Sequence, residues 1–304
     1  MLNLEDIEAA ARRIAPHIHR TPVLKSQSLN EKLGKEIYFK AEHLQKTGSF
    51  KVRGALNAAL QLQGPKGLIA VSSGNHAQGV AYAARTLGLP ALVVMPQDAS
   101  PTKKAATRAY GARVFDQGVT VENREAIAQG LARETGYALI HPFDDPRVMA
   151  GQGTLALELL AQVEAFDAVL VAVGGGGLIA GVATALKALR PEIEVIGVEP
   201  EGAHDAQQSL AAGRRVALSQ APRTVADAVR TLVVGEQTFP VMQRLVGRIL
   251  VVPDAVTLQA QRLILERLKQ VVEPTAALAL APALMDYPLP QRLAVVLCGG
   301  NWLP

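Results

Sequence analysis

The chain has 304 residues, 49% of them hydrophobic and 19% charged, with a formal net charge of +4. That balance describes a globular protein with a sizeable apolar core, in one large domain or two intimate ones, and excludes a disordered chain. Acids and bases are spread along the whole length without a basic block interleaved with aromatics, so nucleic acid is not an expected partner. The single cysteine, Cys298, excludes an internal disulfide. The N-terminal MLNLEDIEAA carries acids where a signal peptide would carry Lys or Arg, and the expected location is cytoplasmic.

In chain order, the stretch KTGSFKVRGA (46–55) reads as a turn running into the first turns of a helix, with Lys51 at its start. Short β-rich apolar runs then alternate with helical patterns: LIAVSS with NHAQGVAYAARTLG, ALVVMP with SPTKKAATRAYG, ARVFDQ with TVENREAIAQGLARETG. The second half repeats the scheme with AVLVAVG and GLIAGVATALKAL, then EVIGVEP and a polar helix around Asp205 to Leu210. Alternation of this kind predicts parallel sheets with helices on both faces. Residues 168–186 carry no charge, but four consecutive glycines interrupt them, and a buried strand, loop and helix is predicted rather than a membrane span.

Ligands in such sheets sit where strand ends run into helix N-termini. Three loops of that type are rich in glycine and small polar residues: SSGNHAQG (72–79), VGGGGLIAG (173–181) and LCGGN (297–301). They are expected to converge on one crevice. The run Gly174, Gly175, Gly176 and Gly177 has neither the Lys-Ser/Thr of a P-loop nor a dinucleotide fingerprint, but its amides can form an anion nest at a positive helix end. An isolated lysine beside a helix start is ordinarily a solvated one. A lysine that attacks a carbonyl as a neutral amine gains from that place, because burial and the positive helix end lower its pKa. Together, lysine and nest suggest a Schiff base with pyridoxal phosphate.

At these residues the chain resembles the serine/threonine dehydratase and serine racemase family, the fold type II pyridoxal-phosphate enzymes, over essentially its full length. The motifs occur in the family's order: 46–55, 72–79, HPFDD (141–145) followed by AGQGT, 174–178, 199–205, EPTAA (273–277) and CGGN (298–301). The resemblance implies an α/β fold like the tryptophan synthase β chain. It would have two doubly wound parallel-sheet domains, the larger from 1–62 and 145–304 and the smaller from 63–144, with the cofactor in the cleft. It implies that Lys51 carries pyridoxal 5'-phosphate and moves the α-proton. Phe50 would pack on the ring, Asn75 would bond its phenolic oxygen, and Gly174 to Gly177 would bind the phosphate. Ser72, Ser73, Asn75, His76 and Arg124 would meet the substrate. Cys298 stands where many relatives have serine beside the pyridine nitrogen; without a carboxylate there the ring is a weaker electron sink, which favours elimination.

Glu199, Asp205 and the Ala203 carbonyl match a divalent-cation site suited to Mg²⁺ or Ca²⁺, with His204 where relatives often carry Asp. The nucleotide site of racemases is matched at Ser26, Lys46 and Thr47, but Gln27 replaces a serine and activation by ATP is not expected. Neither is feedback inhibition, since the chain ends soon after Asn301 without a regulatory domain. The resemblance implies a homo-oligomer, dimer or tetramer, acting on a small hydroxy-amino-acid substrate: L-threonine or L-serine to a 2-oxo acid and ammonia. Racemisation, with Ser73 serving the face opposite Lys51, and the dehydration of 3-hydroxyaspartate are the neighbouring activities. A non-catalytic nucleotide-binding protein is the reading from another class, and the intact Lys51 argues against it.

Overall fold

The computed structural model describes residues 2–99, 101–120 and 122–302. Ser100 and Val121, which fall inside two of the expected helical patterns, lie outside the described residues. Helix α1 (Leu4–Ile14) opens on a capping box in which Asn3 and Asp6 exchange side-chain and backbone hydrogen bonds. Acids occupy its first turn and arginines its last, in keeping with the helix dipole. There follow β1 (Val23–Leu24), α2 (Gln27–Leu33), β2 (Glu36–Lys40) and α3 (Lys51–Ala59). The middle of the chain forms β3 (Leu68–Val71), α4 (Asn75–Thr86), β4 (Ala91–Val94), α5 (Pro101–Ala109), β5 (Arg113–Phe115), α6 (Arg124–Thr135) and β6 (Ala138–Leu139). The remainder forms α7 (Pro146–Gln162), β7 (Ala168–Ala172), α8 (Gly177–Leu189), β8 (Glu194–Pro200), α9 (Asp205–Ala212), α10 (Thr238–Leu245), β9 (Arg248–Val252), α11 (Asp254–Leu263), α12 (Pro274–Leu278) and β10 (Arg292–Val296).

Among the described residues the strands form two sheets, one in the order β1-β2-β10-β7-β8-β9 and one in the order β5-β4-β3-β6. Pairing is parallel throughout except at β1, which runs antiparallel to β2. This departs from the purely parallel expectation: a two-residue strand turned back along β2 covers the sheet edge. Strands β3, β4 and β7 are buried along their whole length, as continuous Val/Ile/Leu/Ala runs covered on both faces by helices should be.

The strand order reverses direction at β3 in the small sheet and between β7 and β10 in the large one. Loops leaving the carboxyl ends of those strands are the three glycine-rich segments, so the topology places them at switch points. Helix α3 bridges the two halves. Val52, Ala55, Leu56, Ala58 and Ala59 share a core with Leu68, Ala70, Val80 and Val93, while Phe50 belongs to the core of the large sheet. Among the described residues no helix is long and apolar enough to cross a membrane.

Candidate active site

A cavity of about 250 Å³ lies between the sheets, and Phe50, Lys51, Ser72, Ser73, Asn75, His76, Arg124, the four glycines 174–177 and Cys298 all line it. Its floor is the start of α3. Phe50 donates its N–H to the Cys298 carbonyl at 3.1 Å, and Ser49 pairs with Gly299, so the loop after β10 fixes the backbone just ahead of Lys51. Helix α4 presses on the same turn from the other side. A Cβ at Gly79 would stand 3.2 Å from the Lys51 carbonyl carbon, a tight contact with backbone that disfavours any side chain at this position of NHAQG.

Lys51 Nζ donates to the Pro142 carbonyl at 2.8 Å and lies 5.4 Å from the Phe50 ring centroid. The side chain is open to the cavity but surrounded by protein beyond it. Burial lowers the amine to about 8. His76 Nε2 meets the Ile140 carbonyl at 2.8 Å; burial and the neighbouring Lys51 hold the ring neutral, with a pKa of about 3. Its Nδ1 is buried without a partner, as are Arg124 Nε and Thr231 Oγ1, which line the same cavity. Arg124 is half-buried at the cavity wall, with its Nε shielded from solvent.

Above the floor, Gly176 adopts φ +90° as N-cap of α8, a conformation closed to side chains, and a Cβ there would fall 2.5 Å from Met242 Sδ. The Gly175 carbonyl accepts from Thr238 Oγ1 at 2.7 Å. The segment 236–238 is in turn held by Asp144, whose carboxylate accepts the amides of Glu236, Gln237 and Thr238. The HPFDD segment thus does three things: its Pro142 carbonyl holds Lys51, its Phe143 ring closes on Gly175, and its Asp144 carboxylate caps the turn beneath.

Two features were not foreseen from the sequence. Glu273, in EPTAA, is buried and accepts from Asn75 Nδ2 at 2.9 and 3.1 Å; burial, then Asp227, raise its pKa to about 8. Lys103 of α5 and Asp227 of the large-sheet half form an ion pair of 2.6 Å at the cavity wall. Ser26 and Lys46 lie outside the cavity lining, and Ser26 Oγ is engaged with the Arg267 carbonyl at 2.8 Å.

The family model for pyridoxal-phosphate dependent enzymes matches residues 14–299. The chain belongs to that family. It is 45% identical to the L-threo-3-hydroxyaspartate ammonia-lyase of Saccharomyces cerevisiae over 301 residues, 97% of this chain and 92% of that one. Among solved structures it is similar to the T.th. threonine deaminase, with 61% identity, a TM-score of 0.97, and coverage of 99% of this chain and 100% of that one. Maize serine racemase gives 40% identity, a TM-score of 0.95, and 99% and 94% coverage. The two-sheet architecture is that of the fold type II pyridoxal-phosphate enzymes.

The residues present fit the family's cofactor. A phosphate needs amides without acceptors, and the first turn of α8 supplies them after a loop whose side-chain space is already filled by Phe143, Val229 and Met242. An aldehyde needs an amine that deprotonates readily, which the lowered Lys51 provides. Burial and Glu273 raise the Cys298 thiol well above its usual value, so it stays neutral.

Away from the cavity, Glu199 at the end of β8 and Asp205 at the start of α9 are both fully buried. Glu199 accepts the amides of Ala206 and Gln207, whereas neither Asp205 oxygen has a hydrogen-bond partner, although Thr231 and Val234 approach it. Burial, then Asp205, raise Glu199 to about 8, and burial raises Asp205 to about 6. Two buried carboxylates, one of them with both oxygens unpartnered, fit a divalent cation. Among the described residues no cluster of three His, Cys, Asp or Glu forms a ligand set, so backbone carbonyls and water would complete it.

Proposed function

We propose that the protein is an ammonia-lyase acting on L-threonine, and on L-serine, to release 2-oxobutyrate or pyruvate and ammonia. The observation that carries the reading is the Lys51 amine, desolvated and held by the Pro142 carbonyl at the floor of a cavity roofed by the Gly174–Gly177 loop. Identity of 61% along the full length of a threonine deaminase supports threonine as substrate.

Bound pyridoxal phosphate supplies a covalent attachment for the substrate amine and a sink for the electron pair left when the α-proton departs. The Gly174 to Gly177 amides would hold its phosphate, Phe50 would flank its ring, Asn75 would reach its phenolic oxygen and Cys298 would face its pyridine nitrogen. Lys51 in its neutral form accepts the α-proton. The turn Ser72 to His76 receives the substrate carboxylate, and neutral His76 adds no charge of its own. The β-hydroxyl leaves as water, the proton it takes up balancing the one Lys51 removes from the α-carbon, and the released enamine takes up water to give the oxo acid and ammonia. A neutral thiol at Cys298 supplies no charge to keep the ring nitrogen protonated, which favours prompt elimination.

A second reading, dehydration of 3-hydroxyaspartate, is favoured by Arg124, whose buried unpartnered Nε would suit a second carboxylate; a yeast relative carries that activity in its name. Incubation with L-threonine, L-serine and threo-3-hydroxyaspartate, scoring oxo acid and enantiomer together, decides between them. Oxo acid from hydroxyaspartate alone would sink the first reading. We further propose a structural Mg²⁺ or Ca²⁺ at Glu199, Asp205 and the Ala203 carbonyl, a smaller domain spanning residues 63–144, and assembly as a homo-oligomer.

A further inference from the structure

Two residues beyond Lys51, helix α3 carries an arginine with no exposed surface at all. Arg53 Nε and one terminal nitrogen bond both oxygens of Glu42, at 2.7 and 2.9 Å. Its terminal nitrogens also reach both oxygens of Glu158 on α7, at 2.8 and 3.0 Å, and Thr154 at 3.1 Å. Glu158 in turn takes Lys40 of β2 at 2.6 Å, and Lys40 is also fully buried. The cluster is balanced, two cations against two carboxylates, and it ties the end of β2, the 3₁₀ turn after it, α3 and α7 to one another.

Burying such a cluster is a poor way to gain stability, because desolvation cancels most of the attraction. It is an effective way to fix geometry: a guanidinium bonded on both edges can occupy only one position and orientation. What it fixes here is the start of α3. That helix has no side-chain cap at Phe50, so nothing intrinsic to the helix prevents its first turn from fraying. Instead, Phe50 is held by the Cys298 carbonyl on one side of Lys51 and Arg53 by the carboxylates on the other, while Gln152 of α7 takes the free Gly54 N–H at 3.1 Å.

We infer that Arg53, through Glu42 and Glu158, is a positioning residue for Lys51, holding the amine at the cofactor aldehyde and the substrate α-carbon while touching neither. A cofactor enzyme in which one lysine must form a bond, release it and then take a proton needs that lysine to return to the same place each time. Displacements of about 1 Å cost on the order of 100-fold in such steps.

The inference rests on Lys51 being the cofactor lysine, so the test begins with wild-type holoenzyme reduced with borohydride and mapped by peptide. Cofactor on any other residue overturns both readings. With Lys51 confirmed, the double variant Arg53→Met with Glu42→Gln removes one charge of each sign and leaves the Lys40 and Glu158 pair in place. It is expected to bind cofactor and to melt near the wild-type temperature. Its visible circular dichroism, which reports the fixed orientation of cofactor on lysine, should fall by about half or more, and kcat on L-threonine should fall about 10- to 100-fold with KM changed less than about threefold. If the double variant is not recovered folded, Arg53→Lys, which keeps the charge but loses the fork, carries the same readouts. Unchanged circular dichroism in a folded variant overturns the inference and leaves the reading of Lys51 intact. Failure of both variants to fold also overturns it, since the cluster would then serve the fold and not the placement of Lys51.

Discussion

Asn75 gives its side-chain amide to Glu273 while its carbonyl oxygen accepts from Asn301 at 2.7 Å, so one residue of α4 joins the EPTAA segment to the loop after β10. Asn301 is itself held by the Thr47 carbonyl at 2.8 Å. The chain of bonds fixes which end of the Asn75 amide faces Glu273. It also explains how a carboxylate comes to be buried there: in its protonated form it loses little by desolvation and keeps its bond to Asn75.

The raised pKa of Glu273, about 8 against 4.5, makes stability fall with pH. The folded state holds a proton that the unfolded state has lost, so the stabilisation is complete below the unfolded value and disappears as pH rises through about 8. Glu273→Gln removes that titration. The variant should melt close to wild type at about pH 4 and above it at about pH 9, a gain on the order of a few kcal/mol before discount for relaxation. Parallel melting curves for the two proteins across this range would mean that Glu273 is ionised in the folded protein.

Lys51→Ala should fold and yet lose turnover by at least about 10²- to 10⁴-fold, the range expected when a general base is removed, and more if covalent attachment of the cofactor is lost with it. Oxo-acid production near wild type without added amine would refute the assignment.

The same lysine sets a pH dependence that can be read without turnover. Only the neutral amine attacks the cofactor aldehyde, and its pKa is lowered to about 8. Capture of pyridoxal phosphate by the cofactor-free protein, followed by absorbance, should accelerate about tenfold per pH unit below that value and level off above it. A rate still climbing towards the ordinary lysine value would show that burial does not lower this amine.

The alternation of strands and helices was legible because the central strands β3, β4 and β7 are buried on both faces; the ranges Gly177–Leu189 and Glu194–Pro200 are those the patterns mark out. Convergence of the three glycine-rich loops was also legible, since switch points follow from parallel topology. Strands β1, β2, β9 and β10 were not marked out, although RILVV (248–252) and RLAVV (292–296) are apolar β-branched runs; β1 is only two residues long. In the site, glycines and Lys51 announce themselves by residue type, whereas Pro142 acts through a backbone carbonyl and Glu273 through burial. Neither has a local pattern. Arg53 stood in the quoted motif, yet its role depends on Glu158, 105 positions later.

At the buried pair Glu199 and Asp205, removing a bound divalent ion should lower the melting temperature, and Ca²⁺ or Mg²⁺ should restore it. Asp205→Asn removes a buried carboxylate whose oxygens have no hydrogen-bond partner, so the metal-free variant should be more stable than metal-free wild type and indifferent to added ions. The outcome that sinks the site is a wild-type protein, shown by elemental analysis to carry the ion, that melts unchanged after chelation.

We propose that Ser73 is the residue on which elimination and racemisation part. It lines the cavity in the turn that leaves β3, beside Ser72, whose hydroxyl is occupied by the Gly74 N–H at 3.1 Å. Taking the α-proton with Lys51 asks nothing of the opposite face, but returning a proton there needs a donor, and the Ser73 hydroxyl is the side chain of this turn best suited to provide it. Ser73→Ala should therefore abolish D-serine formation from L-serine while lowering elimination of the L-enantiomer less than about tenfold, the effect of a lost contact in the substrate turn. Elimination of a D-substrate, which presents its α-proton to the Ser73 side, should fail in the variant. The measurement follows both enantiomers and pyruvate from L-serine in wild type and variant. D-serine appearing equally fast in both would remove Ser73 as the second base. A wild type that forms none would leave the serine to the carboxylate turn and the enzyme to elimination alone.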